Sequence, residues 1–175
     1  MRNFVLAVFV LAIAAPVSAQ RINIDFPGLS TRAAETVDVT LDGPLLRLAS
    51  KFLDPHDPDQ RDAREIVSKL EGIYVRSYEF DKEGEYDRAV VEHVRSQLGS
   101  TWKRIVTVRS RDKENVEIYV DVRGENNVRG LVIISAEPKE LTIVNLVGPV
   151  DIDKLSSLEG EFGIPRMGKE RRHHD

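Results

Sequence analysis

The chain has no cysteine among its 175 residues, which removes at once a disulfide framework, a thiol nucleophile, a thiolate zinc site and a lipidated cysteine behind a leader. Histidine is nearly as scarce, with four copies, and no block of one charge sign exists: 25 basic and 29 acidic side chains alternate to give a formal net charge of −4. Nucleic-acid binding normally asks for a basic stripe or patch, so that partner class is excluded. The eleven glycines are scattered and form neither a P-loop nor a dinucleotide fingerprint. No serine sits in a nucleophile elbow. These absences leave no catalytic, cofactor-binding or metal-binding set to name.

The one long apolar run is at the start. Arg2 precedes twelve apolar residues, Phe4 to Ala15; Pro16 breaks them, and Val17-Ser18-Ala19 ends on a small residue. That order is the signature of a cleavable signal peptide, with cleavage between Ala19 and Gln20. The run is shorter than the roughly 20 residues that span a bilayer. The expectation is therefore an exported protein, periplasmic or secreted, with no transmembrane anchor in the mature chain. Because Gln20 stands where a lipidated protein would carry cysteine, no lipid anchor is expected.

Four segments follow from composition: 1–19 as signal peptide, 20–35 as a lead-in, 36–163 as one α+β domain, and 164–175 as a polar, disordered tail. Ile22 to Leu29 resembles a lead-in or edge strand. Val37, Val39 and Leu41 alternate with Asp38 and Thr40, the period-two pattern of a half-buried strand. Asp42-Gly43 turns into a helix that begins near Pro44 and places Leu45, Leu48, Ala49 and Phe52 on one face. Two prolines make Asp54 to Asp59 a loop. A helix capped by Asp59 follows, carrying Ala63, Ile66, Val67 and Leu70 inward and stopping at Gly72.

Ile73 to Phe80 reads as a strand, and Glu85 to Leu98 as a helix with Tyr86, Val90 and Val94 inward. Four strands follow over about 103–109, 116–122, 130–136 and 141–147, with links so short that neighbours must be antiparallel. A last helix, capped by Asp151 or Asp153, carries Leu155, Leu158 and Phe162. Together these elements predict an α+β fold: an antiparallel sheet of five to six strands with helices packed mainly on one face. Leu131 and Ile133 alternate with Val132 and Ile134, so part of the sheet is covered on both faces, by helices or by a partner or second copy.

Three chemical possibilities can be set against plainer ones. His93 lies beside the apolar stripe of its helix and could serve an envelope hydrolase or ligand-modifying enzyme with a nearby carboxylate; no serine, cysteine or paired carboxylate sits at a spacing that predicts a triad. Asp54, Asp57, Asp59 and Asp62 could hold a hard cation, yet the loop lacks the alternating aspartates, central glycine and closing glutamate of an EF-hand. His173 and His174, with Arg166, Lys169, Arg171 and Arg172, belong to the tail, where weak metal or anionic-surface contacts compete with a simple solubilising role.

Val37-Asp-Val-Thr-Leu-Asp-Gly-Pro-Leu-Leu-Arg-Leu-Ala49, Leu70-Glu-Gly-Ile-Tyr-Val-Arg-Ser-Tyr-Glu-Phe80 and Leu141-Thr-Ile-Val-Asn-Leu-Val-Gly-Pro-Val-Asp-Ile-Asp-Lys-Leu155 resemble the family termed domain of unknown function 4252, over about Val37 to Leu158. The resemblance implies a small exported protein of the bacterial envelope and carries no catalytic residues with it. The function expected is a non-enzymatic binding or protein-interaction module, engaging another envelope protein or a second copy through its sheet.

Overall fold

The computed structural model describes residues 21–110, 115–124 and 127–151. The expected signal peptide with its Ala19/Gln20 junction, the final helix after Asp151 and the tail lie outside these residues.

Six strands form a single antiparallel sheet: β1 (Glu35–Asp42), β2 (Gly72–Glu79), β3 (Trp102–Arg109), β4 (Asn115–Val122), β5 (Val128–Ala136) and β6 (Glu140–Val147). Their spatial order is β1-β2-β6-β5-β4-β3. The last four strands are a meander of hairpins, as their short links require. That meander starts at the far edge and walks back until β6 pairs with β2, Gly72 opposite Val147 and Glu79 opposite Glu140. The open edges are consequently β1 and β3.

The helices are α1 (Pro27–Ser30), α2 (Gly43–Ala49), α3 (Pro58–Lys69) and α4 (Ala89–Ser96), with a 3-10 turn over Ser50–Phe52. Asp42 caps α2 directly, its Oδ1 accepting the Leu45 amide at 3.0 Å, and Pro44 occupies the first turn, where its missing N–H costs nothing. α3 begins at Pro58, so Asp59 stands inside the helix rather than at its cap. α4 is shorter than the Glu85 to Leu98 expected.

The α+β class and the antiparallel sheet agree with the sequence, but the helices divide between the faces instead of gathering on one. Leu46 of α2 and Ala63, Ile66 and Leu70 at α3 pack with Val116, Ile118, Val120 and Leu131. On the opposite face, Val91 and Val94 of α4 join Ile22, Ile24 and Leu29 over Tyr74, Tyr78, Val132, Ile134, Leu141 and Ile143. The lead-in is thus part of the core and not an edge strand: it runs across the second face and ends in α1. Fully burying each of its three aliphatic side chains is worth about 2 kcal/mol. Both faces of β5 are covered by this chain alone, which leaves no sheet face there for a partner.

Leu45, Leu48 and Phe52 do share a side of the α2 segment, but it is the solvent side, with Phe52 82% exposed, and Leu46 takes the core position. Spacing identifies a stripe; only the sheet's position decides which stripe is buried.

Candidate functional site

Among the described residues, four buried side chains on one inward face of the sheet are polar: Asp121 of β4, paired with Arg123 at 3.0 Å, and three others. Arg76 lies between Tyr74 and Tyr78 in β2, Asn145 between Ile143 and Val147 in β6, and Glu117 on the same sheet face in β4; all three are buried. Asn145 Oδ1 accepts the Ile22 amide at 3.2 Å. The Tyr78 hydroxyl accepts the Phe26 amide at 3.2 Å and donates to the Ile24 carbonyl at 3.4 Å. These bonds seat residues 21–26, whose backbone pairs with no strand among the described residues, whereas the lead-in meets β2 only at its end, where the Ala34 amide donates to the Glu79 carbonyl at 2.8 Å.

Arg76 completes the seat. Its Nε donates to Asp25 at 2.8 Å, and Nη1 reaches Asp38 and the Val75 and Val39 carbonyls. The hydrogen bond from Arg76 holds the Asp25 carboxyl below the ordinary aspartate range, and the same bond raises Arg76 against the opposing effect of its burial. A shallow hollow of about 240 Å³ opens beside it, lined by Arg21, Ile22, Asn23, Ile24, Asp25 and Arg76. The Arg21 guanidinium lies 4.1 Å over the Tyr74 ring. Every charge in the hollow already has a partner, so the groups are arranged to hold a segment in place rather than to transfer a proton.

Glu117 is the second ionic centre. Arg95 donates to both of its oxygens at 2.8 Å, Tyr119 donates to Oε2 at 2.8 Å, and Arg104 stands 3.8 Å away. Burial pushes the Glu117 carboxyl up, but the hydrogen bonds from Arg95 and Tyr119 and the attraction of Arg95 and Arg104 outweigh it, and the net direction is down. Such a group stays ionised and is a poor proton donor near neutrality.

His93 is exposed on α4, its ring edge-on to Phe26 at 5.9 Å between centroids. No carboxylate pairs with it among the described residues. The aspartate-rich loop ties itself down: Asp54 Oδ1 accepts the His56 amide at 2.8 Å, Asp57 accepts from Gln60 Nε2 at 2.9 Å, and Gln60 Oε1 accepts the Asp54 amide at 3.0 Å. Among the described residues no three His, Cys, Asp or Glu side chains converge as a metal would require.

The open edges are different. β1 is exposed along nearly its whole length and carries Glu35, Asp38 and Asp42 with no basic residue. β3 is exposed beyond Trp102 and carries Lys103, Arg104 and Arg109 with no acid. Among the described residues, the large apolar side chains left in water are Val37 on β1, Leu45, Leu48 and Phe52 on the helical segment that follows it, and Ile105 and Val108 on β3.

A family model, described as a domain of unknown function (DUF4252), matches residues 31–158. The chain belongs to that family. No curated protein and no solved structure matches it. The DUF4252 span begins at Thr31, downstream of Ile22, Ile24 and Leu29, which are nonetheless built into its core. No helix among the described residues is long and apolar enough to cross a membrane.

The buried polar groups escaped the sequence reading, although a signal was present. Arg76 interrupts Tyr74-x-Arg76-x-Tyr78-x-Phe80, and Asn145 interrupts Leu141-x-Ile143-x-Asn145-x-Val147. A polar residue at core parity in an otherwise apolar row marks a position whose partner comes from elsewhere in the fold.

Proposed function

We propose that this DUF4252 protein is an exported, non-enzymatic binding module of the bacterial envelope that engages protein partners through the edges of its sheet. The observation that carries the reading is that, among the described residues, the exposed large apolar side chains are confined to β1, the helical segment after it, and β3. An unpaired strand offers a row of N–H and C=O groups, and an extended partner strand can add to it. Among the described residues the buried Arg76, Glu117 and Asp121 are committed to structural ion pairs and His93, the histidine of the hydrolase alternative, is exposed without a paired carboxylate, so the geometry favours binding over catalysis. Export rests on the leader that ends at Ala19.

Two measurements test it. Fractionation followed by N-terminal sequencing should find the protein outside the cytoplasm and beginning at Gln20. A photo-crosslinking side chain at Val37 or Val108 should trap protein partners in cells, whereas the same group at Arg64 on α3 should not. Equal labelling at all three positions, or none at the edges, would refute the edge-binding role.

A further inference from the structure

We infer that the two edges are made for each other: β1 of one copy adds antiparallel to β3 of the next, and the sheet continues head to tail. This rests on the edge-binding reading and names the occupant as a second copy of this chain.

The topology supplies the direction. Each of the five pairings in the order β1-β2-β6-β5-β4-β3 is antiparallel, so β1 runs opposite to β3. A second copy in the same orientation therefore brings its β1 antiparallel to the first copy's β3, with like faces on the same side.

The side chains then match face by face. Asp38 and Thr40 of β1 share the face of Arg76 and Tyr74; Arg104, Thr107 and Arg109 of β3 share the face of Tyr119 and Glu117. Val39 and Leu41 lie on the other face, over Val75 and Ile73, as do Val106 and Val108, over Ile118 and Val116. Setting Asp38 against Arg109 puts Val39 against Val108, Thr40 against Thr107 and Leu41 against Val106. β3 has one extra residue at Ile105, where its pairing with β4 shifts register. Carrying that bulge across to β1 sets Asp42 against Arg104. One register thus pairs acid with base at both ends and apolar with apolar between them, the combinations that stabilise cross-strand neighbours. Asp38 is paired to Arg76 yet its side chain remains 58% exposed, so it can accept from a second guanidinium.

The signs also decide against the alternatives. Two acidic β1 edges repel, as do two basic β3 edges, so neither symmetric dimer is favoured. Charge on an edge ordinarily keeps sheets apart; here it does so for like edges and attracts unlike ones. The contact is heterologous and propagates into a filament or a closed ring, with a repeat of six strands, about 29 Å at about 4.8 Å per strand.

The test is a mixing experiment on the mature chain, Gln20 to Asp175, by analytical ultracentrifugation. Wild type should form species larger than a dimer at low salt and lose them as salt rises from about 0.05 to 0.5 M, since exposed ion pairs are screened over that range. Val108→Glu with Arg109→Glu blocks one edge; Val37→Lys with Val39→Lys blocks the other. Each double variant should be monomeric alone, with circular dichroism confirming the fold, and a 1:1 mixture should associate, through the unmodified edges and, since the register sets position 39 against position 108, through the exchanged charges as well. A wild type that stays monomeric at low salt overturns the inference, as does either variant dimerising alone or a folded mixture that does not associate. Failure here with edge-specific crosslinks to another protein retained would leave the binding module standing without self-assembly. Should Val39→Lys unfold the chain, the salt series and the Val108/Arg109 variant alone still decide.

Discussion

Arg95 and Glu117 join α4 to β4 by two parallel hydrogen bonds, each 2.8 Å, with the carboxylate buried and the guanidinium about one-third exposed. The asymmetry makes the two deletions unequal. Arg95→Ala leaves a buried carboxylate with only Tyr119 and a distant Arg104, and it should cost about 3 kcal/mol. Glu117→Gln keeps the shape, and Arg95 can rehydrate at the surface, so about 1 kcal/mol is expected. Urea denaturation of the two variants checks the order; equal losses would show that the buried charge is not what the pair protects.

Acid should weaken the fold through the same group. The folded-state pKa of Glu117 is lowered from the ordinary 4.5, so its contribution is complete above the unfolded value and falls away as pH drops through the folded one. Asp25, lowered from 3.8 by the hydrogen bond from Arg76, acts in the same direction over a more acidic range, weakly because it is exposed. Melting temperature should therefore fall below about pH 4.5 in wild type, and the slope should be smaller in Glu117→Gln. An unchanged slope in the variant would assign the acid sensitivity elsewhere.

A fragment confined to the family span should not fold on its own. A fragment starting at Thr31 lacks Ile22, Ile24 and Leu29, which are 1%, 4% and 2% exposed, and strips partners from Asn145, Tyr78 and Arg76. Each lost aliphatic side chain costs about 2–5 kcal/mol, together comparable to the whole stability of an ordinary domain, about 5–15 kcal/mol. The fragment should aggregate or bind a hydrophobic dye, whereas Gln20 to Asp175 should melt cooperatively.

Gly148 should tolerate no side chain. Its φ is +117°, and a Cβ there would sit 2.7 Å from the Glu71 backbone nitrogen, at the junction where the Glu71 amide donates to Val147. Neither backbone can yield without opening the β2–β6 pairing. Gly148→Ala should cost at least about 3 kcal/mol, while Gly99→Ala, where nothing lies within 4 Å of the added carbon, should change stability by less than about 0.5 kcal/mol. A thermal-melt comparison of the two distinguishes backbone clash from a general loss of glycine flexibility.

Local pattern was enough for much of the fold. Alternation at Val37-x-Val39-x-Leu41, helical spacing at Ala63, Ile66 and Leu70, and short links between the last four strands specified the elements and their antiparallel sense, because those signals depend on residues a few positions apart. The edges of the sheet were not legible, since β6 returning to β2 is a choice among pairings between segments far apart in sequence. The same reason hid the role of Arg76, Asn145 and Glu117, whose partners Asp25, Ile22 and Arg95 are 51, 123 and 22 residues distant. It also hid which side of α2 faces water. The lack of cysteine by itself excluded thiol and disulfide chemistry; tertiary contact alone decided that the interior charges would be paired and that acid and base would be left on opposite rims, because burial and strand order are properties of the assembled chain and not of any window within it.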